Sequence, residues 1–265
     1  MKILIIKTSS LGDCVHCLPV LADIRAYHPQ AEIHWLVEEA YAPLLRLHPE
    51  LAQVWPVAWR RWRKSLYVPS TWREMSQFWQ RLQSQHYDWV IDTQGLLKSA
   101  VLATLTHSKH RVGYNRHSIR EPWASWFYRQ RYAVSRTLHA VPRNRALVAA
   151  ALGVNIPDTP AHYGLPQAPI AQQDVVLGLH GSAHAAKHWP LAQWVTLGQA
   201  LASQNLTLCL PWGDEAERQL AQHIATLVKG AQVLPRCALP ELLTVISRAR
   251  VAVGVDSGLT HLALA

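Results

Sequence analysis

The residues best suited to chemistry lie in a short turn near the amino terminus, Lys7-Thr8-Ser9-Ser10-Leu11-Gly12-Asp13. An apolar run precedes this turn, and apolar residues at helical spacing follow it over residues 14–27, which predicts a strand–turn–helix unit. Such turns hold ligands at the carboxyl edge of a parallel sheet, and Gly12, the serines and the helix-start amides suit an anion. Asp13 is the exception, because a carboxylate here is either a helix cap or a chemical group.

Two other chemistries are disfavoured around this turn. It has neither the G-x-G-x-x-G spacing of a dinucleotide site nor the Gly-Lys-Ser/Thr ending of a P-loop. Cys14-Val15-His16-Cys17 has redox-motif spacing at a helix start, but it lacks the Trp-Cys-Gly-Pro context of thioredoxins. The 4 Cys and 15 His form no second ligand pair at zinc spacing, so we expect neither a redox site nor a metal.

Three turns in the second half of the chain are suited to one ligand. His180-Gly181-Ser182-Ala183, with Lys187 beyond it, offers room and a positive charge for a diphosphate. Residues 211–215 form an acidic turn suited to ribose hydroxyls, and Asp256-Ser257-Gly258, with His261 a turn later, starts a helix whose amides suit phosphate. Each turn has a structural alternative, namely a solvated loop, an acid-rich helix start and a helix cap. Together they predict a nucleotide-diphosphate site.

The basic residues are concentrated in one half of the chain. Residues 1–150 contain 20 of the 26 Lys and Arg but only 10 of the 17 Asp and Glu, whereas residues 151–265 are close to neutral. Nine of the 12 Trp accompany this positive charge, although most of them are expected in the core. A basic half predicts a polyanionic partner, which leaves nucleic acid, acidic lipid and acidic sugar open. Trp among cations suits a membrane interface or a sugar-binding wall.

Strand and helix patterns alternate along the chain and position these turns. A proline-containing stretch, residues 155–173, interrupts the alternation. We therefore predict an α/β protein with two Rossmann-like parallel-sheet domains, 1–154 and 174–265, that face a cleft. Residues 60–64 are predicted as a basic loop, and residues 116–136 form a basic and aromatic region. No run of about eighteen apolar residues and no signal-peptide pattern occurs, so a cytoplasmic location is expected.

Six stretches, spread in order along the chain, form a specific pattern. They are Lys7-Thr8-Ser9-Ser10-Leu11-Gly12-Asp13, Arg60-Arg61-Trp62-Arg63-Lys64, Asp92-Thr93-Gln94-Gly95-Leu96-Leu97-Lys98-Ser99-Ala100, Lys187-His188-Trp189-Pro190, Leu210-Pro211-Trp212-Gly213 and Asp256-Ser257-Gly258-Leu259-Thr260-His261. This pattern resembles the lipopolysaccharide heptosyltransferases. The last stretch alone is typical of the wider family, whereas residues 60–64 and 94–100 favour type I over type II.

The resemblance implies a GT-B fold, with the acceptor on the first domain and the donor on the second. It implies inverting transfer of L-glycero-D-manno-heptose from ADP-heptose to the 5-hydroxyl of Kdo on Kdo2-lipid A, without a metal or a cofactor. Asp13 is then the general base. The candidate acceptor contacts are Lys7, Ser10, Gly12, Arg60, Arg63, Lys64 and Arg120, of which the cations are chosen because such an acceptor is anionic. The implied donor contacts are Ser182, Ala183, Lys187, Glu215, Cys237, Asp256, Ser257, Gly258 and His261.

The chain departs from the family pattern in three places. Ser182-Ala183 stands where the family often has two Thr, so one hydroxyl contact is lost. The turn at Gly213 is shorter than usual, which weakens the assignment of Glu215. The chain reaches one or two turns into the helix after the donor motif, whereas family members continue through another strand and a helix. We therefore expect the second sheet to lack an element.

The implied acceptor carries carboxylates and phosphates, which agrees with the basic first half. We expect peripheral contact with the cytoplasmic face of the inner membrane through Trp and Arg of that half. The alternatives are a type II or III enzyme acting on a heptosylated core, a basic nucleic-acid-binding protein, and an oxidoreductase that the missing glycine spacing disfavours. Nucleic-acid binding leaves the three phosphate-facing turns unexplained, so no nucleic-acid partner is predicted.

Overall fold

The computed structural model describes residues 1–156, 159–166, 173–182 and 184–265, and it divides into two compact units, Met1–Leu165 and Pro166–Ala265. Each unit is built on one parallel β-sheet. The predicted α/β class with two parallel-sheet domains is therefore confirmed. The domain limits 1–154 and 174–265 stay a prediction, and residues 157–158 and 167–172 of the predicted linker lie outside the described residues.

The first unit has strands β1 (Lys2–Ile6), β2 (Glu32–Glu38), β3 (Gln53–Val57), β4 (His86–Asp92), β5 (His107–Tyr114) and β6 (Gln130–Tyr132). Its helices are α1 (Leu11–Val15), α2 (Pro19–Tyr27), α3 (Ala42–Leu45), α4 (Trp59–Trp62), α5 (Pro69–Gln83), α6 (Leu97–Thr104) and α7 (Ala140–Leu152), with 3₁₀ helices at Glu39–Tyr41 and Pro122–Phe127. The strands pair in the order β3-β2-β1-β4-β5-β6. All of these pairings are parallel, so every strand ends at the same edge.

Strand β1 lies in the middle of this sheet and is buried on both faces. Ile3 and Ile5 pack in one core cluster with residues of α2 and α7, whereas Leu4 and Ile6 pack in another with residues of α5 and α6. Successive side chains of a strand point to opposite faces, so a wholly apolar strand belongs to a sheet covered by helices on both sides. This burial anchors the turn that follows Ile6.

The second unit has strands β7 (Gln173–Leu179), β8 (Thr207–Leu210), β9 (Gln232–Val233) and β10 (Ala249–Gly254), paired in parallel in the order β10-β7-β8-β9. Its helices are α8 (Leu191–Ala202), α9 (Glu215–Leu227), α10 (Leu239–Arg248) and α11 (Gly258–Leu264), with a 3₁₀ helix at Ala185–Lys187. Trp194 of α8 packs on Leu208 and Leu210 of β8 in the core of one face. The turns after these four strands again share one edge.

The helix predicted over residues 14–27 is wrong as a single element. It consists of α1 and α2, separated by a turn at residues 16–18. Pro19 has no N–H to donate to the carbonyl of Val15, which interrupts the helical hydrogen-bond series. Leu18 and Val20 instead donate three residues back, to Val15 and Cys17.

The segment predicted as a basic loop contains regular structure, and so does the basic and aromatic region to which no element was assigned. Most of the basic run 60–64 lies on α4, and residues 116–136 contain a 3₁₀ helix and the short strand β6. Strand β6 has three residues, which is too short for a period of two to be recognised. None of the described helices is long and apolar enough to cross a bilayer.

A buried ion pair joins two helices of the first unit. Arg145 of α7 donates from Nε and Nη2 to Asp23 of α2, at 2.7 and 2.9 Å, and the side chains are only 10% and 13% exposed. We expect Asp23→Ala to lower the free energy of unfolding by about 3 kcal/mol, because it leaves a buried guanidinium without its carboxylate. Urea denaturation measures this loss.

The matched control is Lys109→Ala, which breaks the pair of Lys109 with Asp88 in the same unit. The Lys109 side chain is 75% exposed, so the loss should stay below about 1 kcal/mol. Equal losses for the two variants would contradict a structural role for the buried pair.

Candidate functional site

Asp13 lies at the third position of α1 and is tied to the start of the helix. Ser10 is the N-cap, and both its backbone N and its Oγ donate to Asp13 Oδ2, at 2.6 and 3.0 Å. Both bonds use Oδ2, so the cap leaves Oδ1 unengaged. The two sequence interpretations of Asp13 are therefore compatible, because one oxygen can hold the turn while the other accepts a proton.

Three backbone amides of the turn that was predicted to suit an anion are engaged within the protein. Gln94 Oε1, from the segment after β4, accepts hydrogen bonds from the backbone N of Thr8 and of Ser9, both at 3.1 Å. The amide of Ser10 donates to Asp13. These three donors are used within the protein, and Gln94, which follows the neighbouring strand β4, supplies the acceptor for two of them.

Lysines lie under and beside the same turn. Lys7 is buried, and its Nζ donates to the carbonyl of Thr93 at 2.9 Å. Lys98 of α6, which is half-buried, donates from Nζ to Ser9 Oγ at 3.0 Å. Burial lowers the pKa of Lys98, and Glu38 and Arg60 are among the charges that act on it. Lys98 lies in the motif stretch of residues 92–100, but the sequence analysis did not name it as a site residue.

A buried acid fixes the position of Gln94. Asp92 ends β4, and its Oδ1 accepts from the backbone N of Gln94 at 2.8 Å and of Gly95 at 3.2 Å. Tyr128 Oη donates to Asp92 Oδ2 at 2.7 Å. Burial raises the pKa of the Asp92 carboxyl, and these hydrogen bonds oppose that shift. The sequence analysis did not name Asp92 as a site residue. The signal that could have identified it is an acid at the end of a strand, directly before Thr93-Gln94-Gly95.

Two acids at the end of β2 hold the basic helix α4. Glu38 is buried, and its Oε1 accepts from the backbone N of Arg60 at 3.0 Å. Arg61 donates to both oxygens of Glu39, at 3.1 and 3.0 Å, and to both oxygens of Glu74, at 2.8 and 2.7 Å. Arg61 is therefore a structural residue, which agrees with its omission from the predicted acceptor contacts.

The other cations of this run remain at the surface. Arg60, Arg63 and Lys64 are exposed, and the Arg60 guanidinium lies 5.6 Å from the centre of the Tyr41 ring. A cavity of about 580 Å³ beside them is lined by Glu38, Glu39, Ala40, Arg60, Arg61, Lys64, Ser65 and Tyr67. The predicted contact Arg120 is also exposed, in the segment that follows β5. The edge of the first sheet thus presents cations around the turn that holds Asp13.

The second unit brings three predicted donor contacts together. Lys187 Nζ lies 2.6 Å from Asp256 Oδ2, and His261 Nε2 lies 3.2 Å from Asp256 Oδ1. The hydrogen bond from Lys187 holds the pKa of the Asp256 carboxyl below its usual range. Asp256 is not the helix cap, because Ser257 Oγ accepts from the backbone N of Thr260 and caps α11, which begins at Gly258.

The remaining donor residues lie on turns of the same edge. His188 Nε2 contacts the carbonyl of Ser182 at 2.8 Å, and Ala183 lies outside the described residues. Cys237 follows β9, and its thiol donates to the carbonyl of Pro235. In the order β10-β7-β8-β9, Asp256, Ser182, Glu215 and Cys237 follow successive strands.

Glu217, which the sequence analysis missed, joins two of these turns. Its Oε2 accepts from the backbone N of Gly213 at 2.7 Å, and a Cβ on Gly181 would come within 2.1 Å of its Oε1. The predicted residue Glu215 is exposed instead and pairs with Arg218 at 3.3 Å. The small residue at Gly181 thus admits a carboxylate of the protein between the turns after β7 and β8.

The two cysteines with redox spacing do not suit redox chemistry. Cys14 and Cys17 are buried, and their thiols contact the carbonyl of Lys7 and the hydroxyl of Thr93. Burial raises the pKa of both thiols, that of Cys17 to about 11, which disfavours a reactive thiolate. The described residues contain no group of three or more His, Cys, Asp and Glu that could hold a metal ion.

The role of Glu38 can be tested with two substitutions. We expect Glu38→Gln to be more stable than Glu38→Ala by about 1 kcal/mol at neutral pH, because the amide oxygen can still accept from the N–H of Arg60. Urea denaturation measures the difference. Equal stability of the two variants would show that the bond to α4 contributes nothing.

The pH dependence gives a second readout of the same residue. Burial raises the pKa of Glu38, so the folded state holds this proton more tightly than the unfolded state. The cost of the ionised carboxyl is absent at acid pH and develops as the pH rises towards the folded pKa. The stability of Glu38→Gln relative to the unsubstituted protein should therefore increase between pH 4 and 7, roughly from the unfolded pKa upwards.

Comparison with known proteins shows the family. The profile of glycosyltransferase family 9 (heptosyltransferase) matches residues 75–265. Lipopolysaccharide heptosyltransferase 1 of Pseudomonas aeruginosa is 43% identical over 269 residues, which cover 100% of this chain and 76% of that protein. Lipopolysaccharide heptosyltransferase 1 of Escherichia coli K12 is 38% identical over 270 residues, which cover 100% of this chain and 85% of that protein.

Solved structures confirm the GT-B fold class. E. coli heptosyltransferase WaaC with ADP-2-deoxy-2-fluoro heptose matches with a TM-score of 0.92 and 36% identity, covering 100% of this chain and 85% of that one. E. coli ADP-heptose lps heptosyltransferase II matches with a TM-score of 0.77 and 21% identity, covering 99% and 81%, and shows the fold alone. The family profile and the identity to these relatives, which extends over all of this chain, agree with the motif residues found at the sheet edges. The chain therefore belongs to glycosyltransferase family 9, the heptosyltransferases.

Proposed function

We propose that this protein transfers L-glycero-D-manno-heptose from ADP-heptose to the 5-hydroxyl of Kdo on Kdo2-lipid A, in synthesis of the lipopolysaccharide inner core. The acceptor binds residues 1–154 and the donor binds residues 174–265. The reaction takes place at the cytoplasmic face of the inner membrane, where the protein is peripheral. The relatives named heptosyltransferase 1 support this acceptor over an already heptosylated one.

The observation that supports the proposal most directly is the set of hydrogen bonds and cations around Asp13. Its carboxylate is tied to the turn through Oδ2 alone, and the same edge presents Arg60, Arg63, Lys64 and Arg120 at the surface. Kdo carries a carboxylate and lipid A carries phosphates, so an acceptor held by these cations has complementary charge. An acid with an unengaged oxygen beside an anion site is suited to take a proton from a bound sugar hydroxyl.

The chemistry requires one base and a stabilised leaving group. Asp13 takes the proton of the 5-hydroxyl while the oxygen of that hydroxyl forms a bond to the anomeric carbon of heptose. The bond from that carbon to the diphosphate breaks on the opposite face, ADP leaves with the electron pair, and the configuration inverts. Lys187, which pairs with the exposed Asp256, offsets the negative charge that develops on the diphosphate.

Paired acceptors test the substrate. The protein is incubated with ADP-heptose and either Kdo2-lipid A or its heptosylated product, and transfer is followed by mass spectrometry. We expect transfer to Kdo2-lipid A. Transfer only to the heptosylated product would contradict the proposal and assign a type II or III activity.

Substitution of Asp13 tests the base. Asp13→Asn keeps an oxygen that can accept from Ser10, so the turn should persist while turnover falls about 10²–10⁴-fold. ADP binding, measured by calorimetry, should be unchanged because the donor binds the other unit. Substantial remaining transfer would reduce Asp13 to a helix cap.

Lys187→Ala is the complementary variant, with weaker ADP binding by about tenfold as the expected result. The matched control is Arg250→Ala, which removes an exposed pair with Asp174 near the start of β7, at the edge opposite the donor turns. It should leave ADP binding unchanged.

A further inference from the structure

Several large apolar side chains of the first unit are exposed instead of packed in its core. Among them, two groups lie beside basic residues. The Trp patch consists of Leu97, Trp123 and Trp126, and the Tyr patch consists of Leu66, Tyr67 and Trp72. Exposed apolar side chains that are grouped, rather than scattered singly, mark interaction surfaces.

The Trp patch is a built feature of the fold. Trp123 and Trp126 are 65% and 66% exposed, and their rings meet edge to face with centroids 4.8 Å apart. Their 3₁₀ helix packs against α6, where the backbone N of Leu97 donates to Glu121 at 2.6 Å. The protein therefore holds two indoles together at its surface, on a segment that packs against the helix that carries the exposed Leu97.

The Tyr patch lies on the loop that joins α4 to α5. Tyr67 is 86% exposed, and Trp72 Nε1 donates to the carbonyl of Leu66 at 2.7 Å. This bond satisfies the polar end of the indole within the protein and leaves its ring at the surface. Tyr67 also lines the cavity beside Arg60 and Lys64.

Both patches lie at the carboxyl edge of the first sheet, on either side of the turn that holds Asp13. The Tyr patch follows β3 and the Trp helix follows β5, whereas Asp13 follows β1 between them. Four strand spacings of about 4.8 Å separate β3 from β5, so the strand ends that lead to the two patches lie roughly 19 Å apart along the edge.

The segments that carry the patches are strongly basic. Residues 58–73 contain five Lys and Arg and no Asp or Glu, and residues 115–131 contain four Arg and one Glu. Basic residues beside exposed Trp and Tyr are typical of surfaces that lie at the interface of an anionic membrane. Each patch also exposes a leucine, which offers neither a stacking face nor a hydrogen bond to a sugar or a nucleobase. This composition favours a lipid surface.

We propose that the Trp patch and the Tyr patch dock this edge on an anionic phospholipid bilayer, with the turn of Asp13 between the two contacts. The indoles and leucines enter the interface of the bilayer, and the arginines and lysines face its phosphates. The proposal rests on the proposed function, because an acceptor anchored by lipid A lies in such a bilayer. It adds the surface that brings the enzyme to that acceptor.

Two variants of the full chain test the docking. They are Trp123→Ser/Trp126→Ser for the Trp patch and Leu66→Ser/Tyr67→Ser for the Tyr patch, which retains Trp72. The matched control is Tyr27→Ser, because Tyr27 is an exposed aromatic residue that ends α2 before the amino end of β2, at the opposite edge. Sedimentation with phosphatidylethanolamine–phosphatidylglycerol vesicles measures binding, and phosphatidylcholine vesicles report the dependence on charge.

We expect each patch variant to bind the anionic vesicles roughly tenfold more weakly than the unsubstituted protein, because apolar area is lost from the interface. Tyr27→Ser should bind them normally, and phosphatidylcholine should bind all four proteins weakly. Heptose transfer to lipid-free Kdo disaccharide should be unchanged in Trp123→Ser/Trp126→Ser, whereas its transfer to Kdo2-lipid A in vesicles should fall with binding.

Three outcomes would overturn the docking proposal. The first is unchanged vesicle binding in both patch variants. The second is an equal loss of transfer to the lipid-free acceptor in Trp123→Ser/Trp126→Ser, which would make the Trp patch a sugar-binding wall. The third is that the patch variants bind a mixed-sequence oligonucleotide more weakly than the unsubstituted protein but still bind vesicles normally. Absence of transfer by the unsubstituted protein would instead contradict the proposed function, and vesicle sedimentation would still decide the docking.

Discussion

The buried carboxylate of Asp92 is the constraint on which the carboxyl edge of the first sheet depends. Its two oxygens accept from the backbone of Gln94 and Gly95 and from the hydroxyl of Tyr128. A buried carboxylate is costly unless hydrogen bonds compensate for lost water, so these donors and the acid hold one another in place. Gln94 then accepts from the turn after β1, and the position of Asp13 follows from that contact.

Carboxylates also hold cations in both units, but with different consequences. Arg61 lies between Glu39 and Glu74 and contacts both oxygens of each, which commits its guanidinium to the protein. Lys187 has an exposed partner, Asp256. Arg61 makes four hydrogen bonds to two carboxylates, whereas Lys187 pairs with the carboxylate of Asp256 at the surface, so a diphosphate would displace fewer contacts at Lys187 than at Arg61. The pairing of Arg61 is therefore suited to a structural role, and that of Lys187 to a ligand-binding site.

Turn residues at strand ends were well predicted because their logic is local. A wholly apolar β1, small residues after it and helical spacing beyond it placed Asp13 at a sheet edge, and the same reasoning placed Asp256. The engagement of the amides of Thr8 and Ser9 was not predicted, because their acceptor is Gln94, more than eighty residues further along the chain. Glu217 was missed for the same kind of reason, since only the neighbouring turn at Gly181 reveals its position.

The sequence by itself therefore determined the α/β class, the family and the residues that end at the two sheet edges. These properties follow from periodicity, turn chemistry and motif order, which are local along the chain. Only the tertiary structure decided which of these groups are already engaged: Lys7 and Arg61 are bound within the protein, whereas Arg60, Arg63 and Lys64 remain at the surface. The reason is physical, because burial and hydrogen-bond partners arise between strands that are distant in sequence.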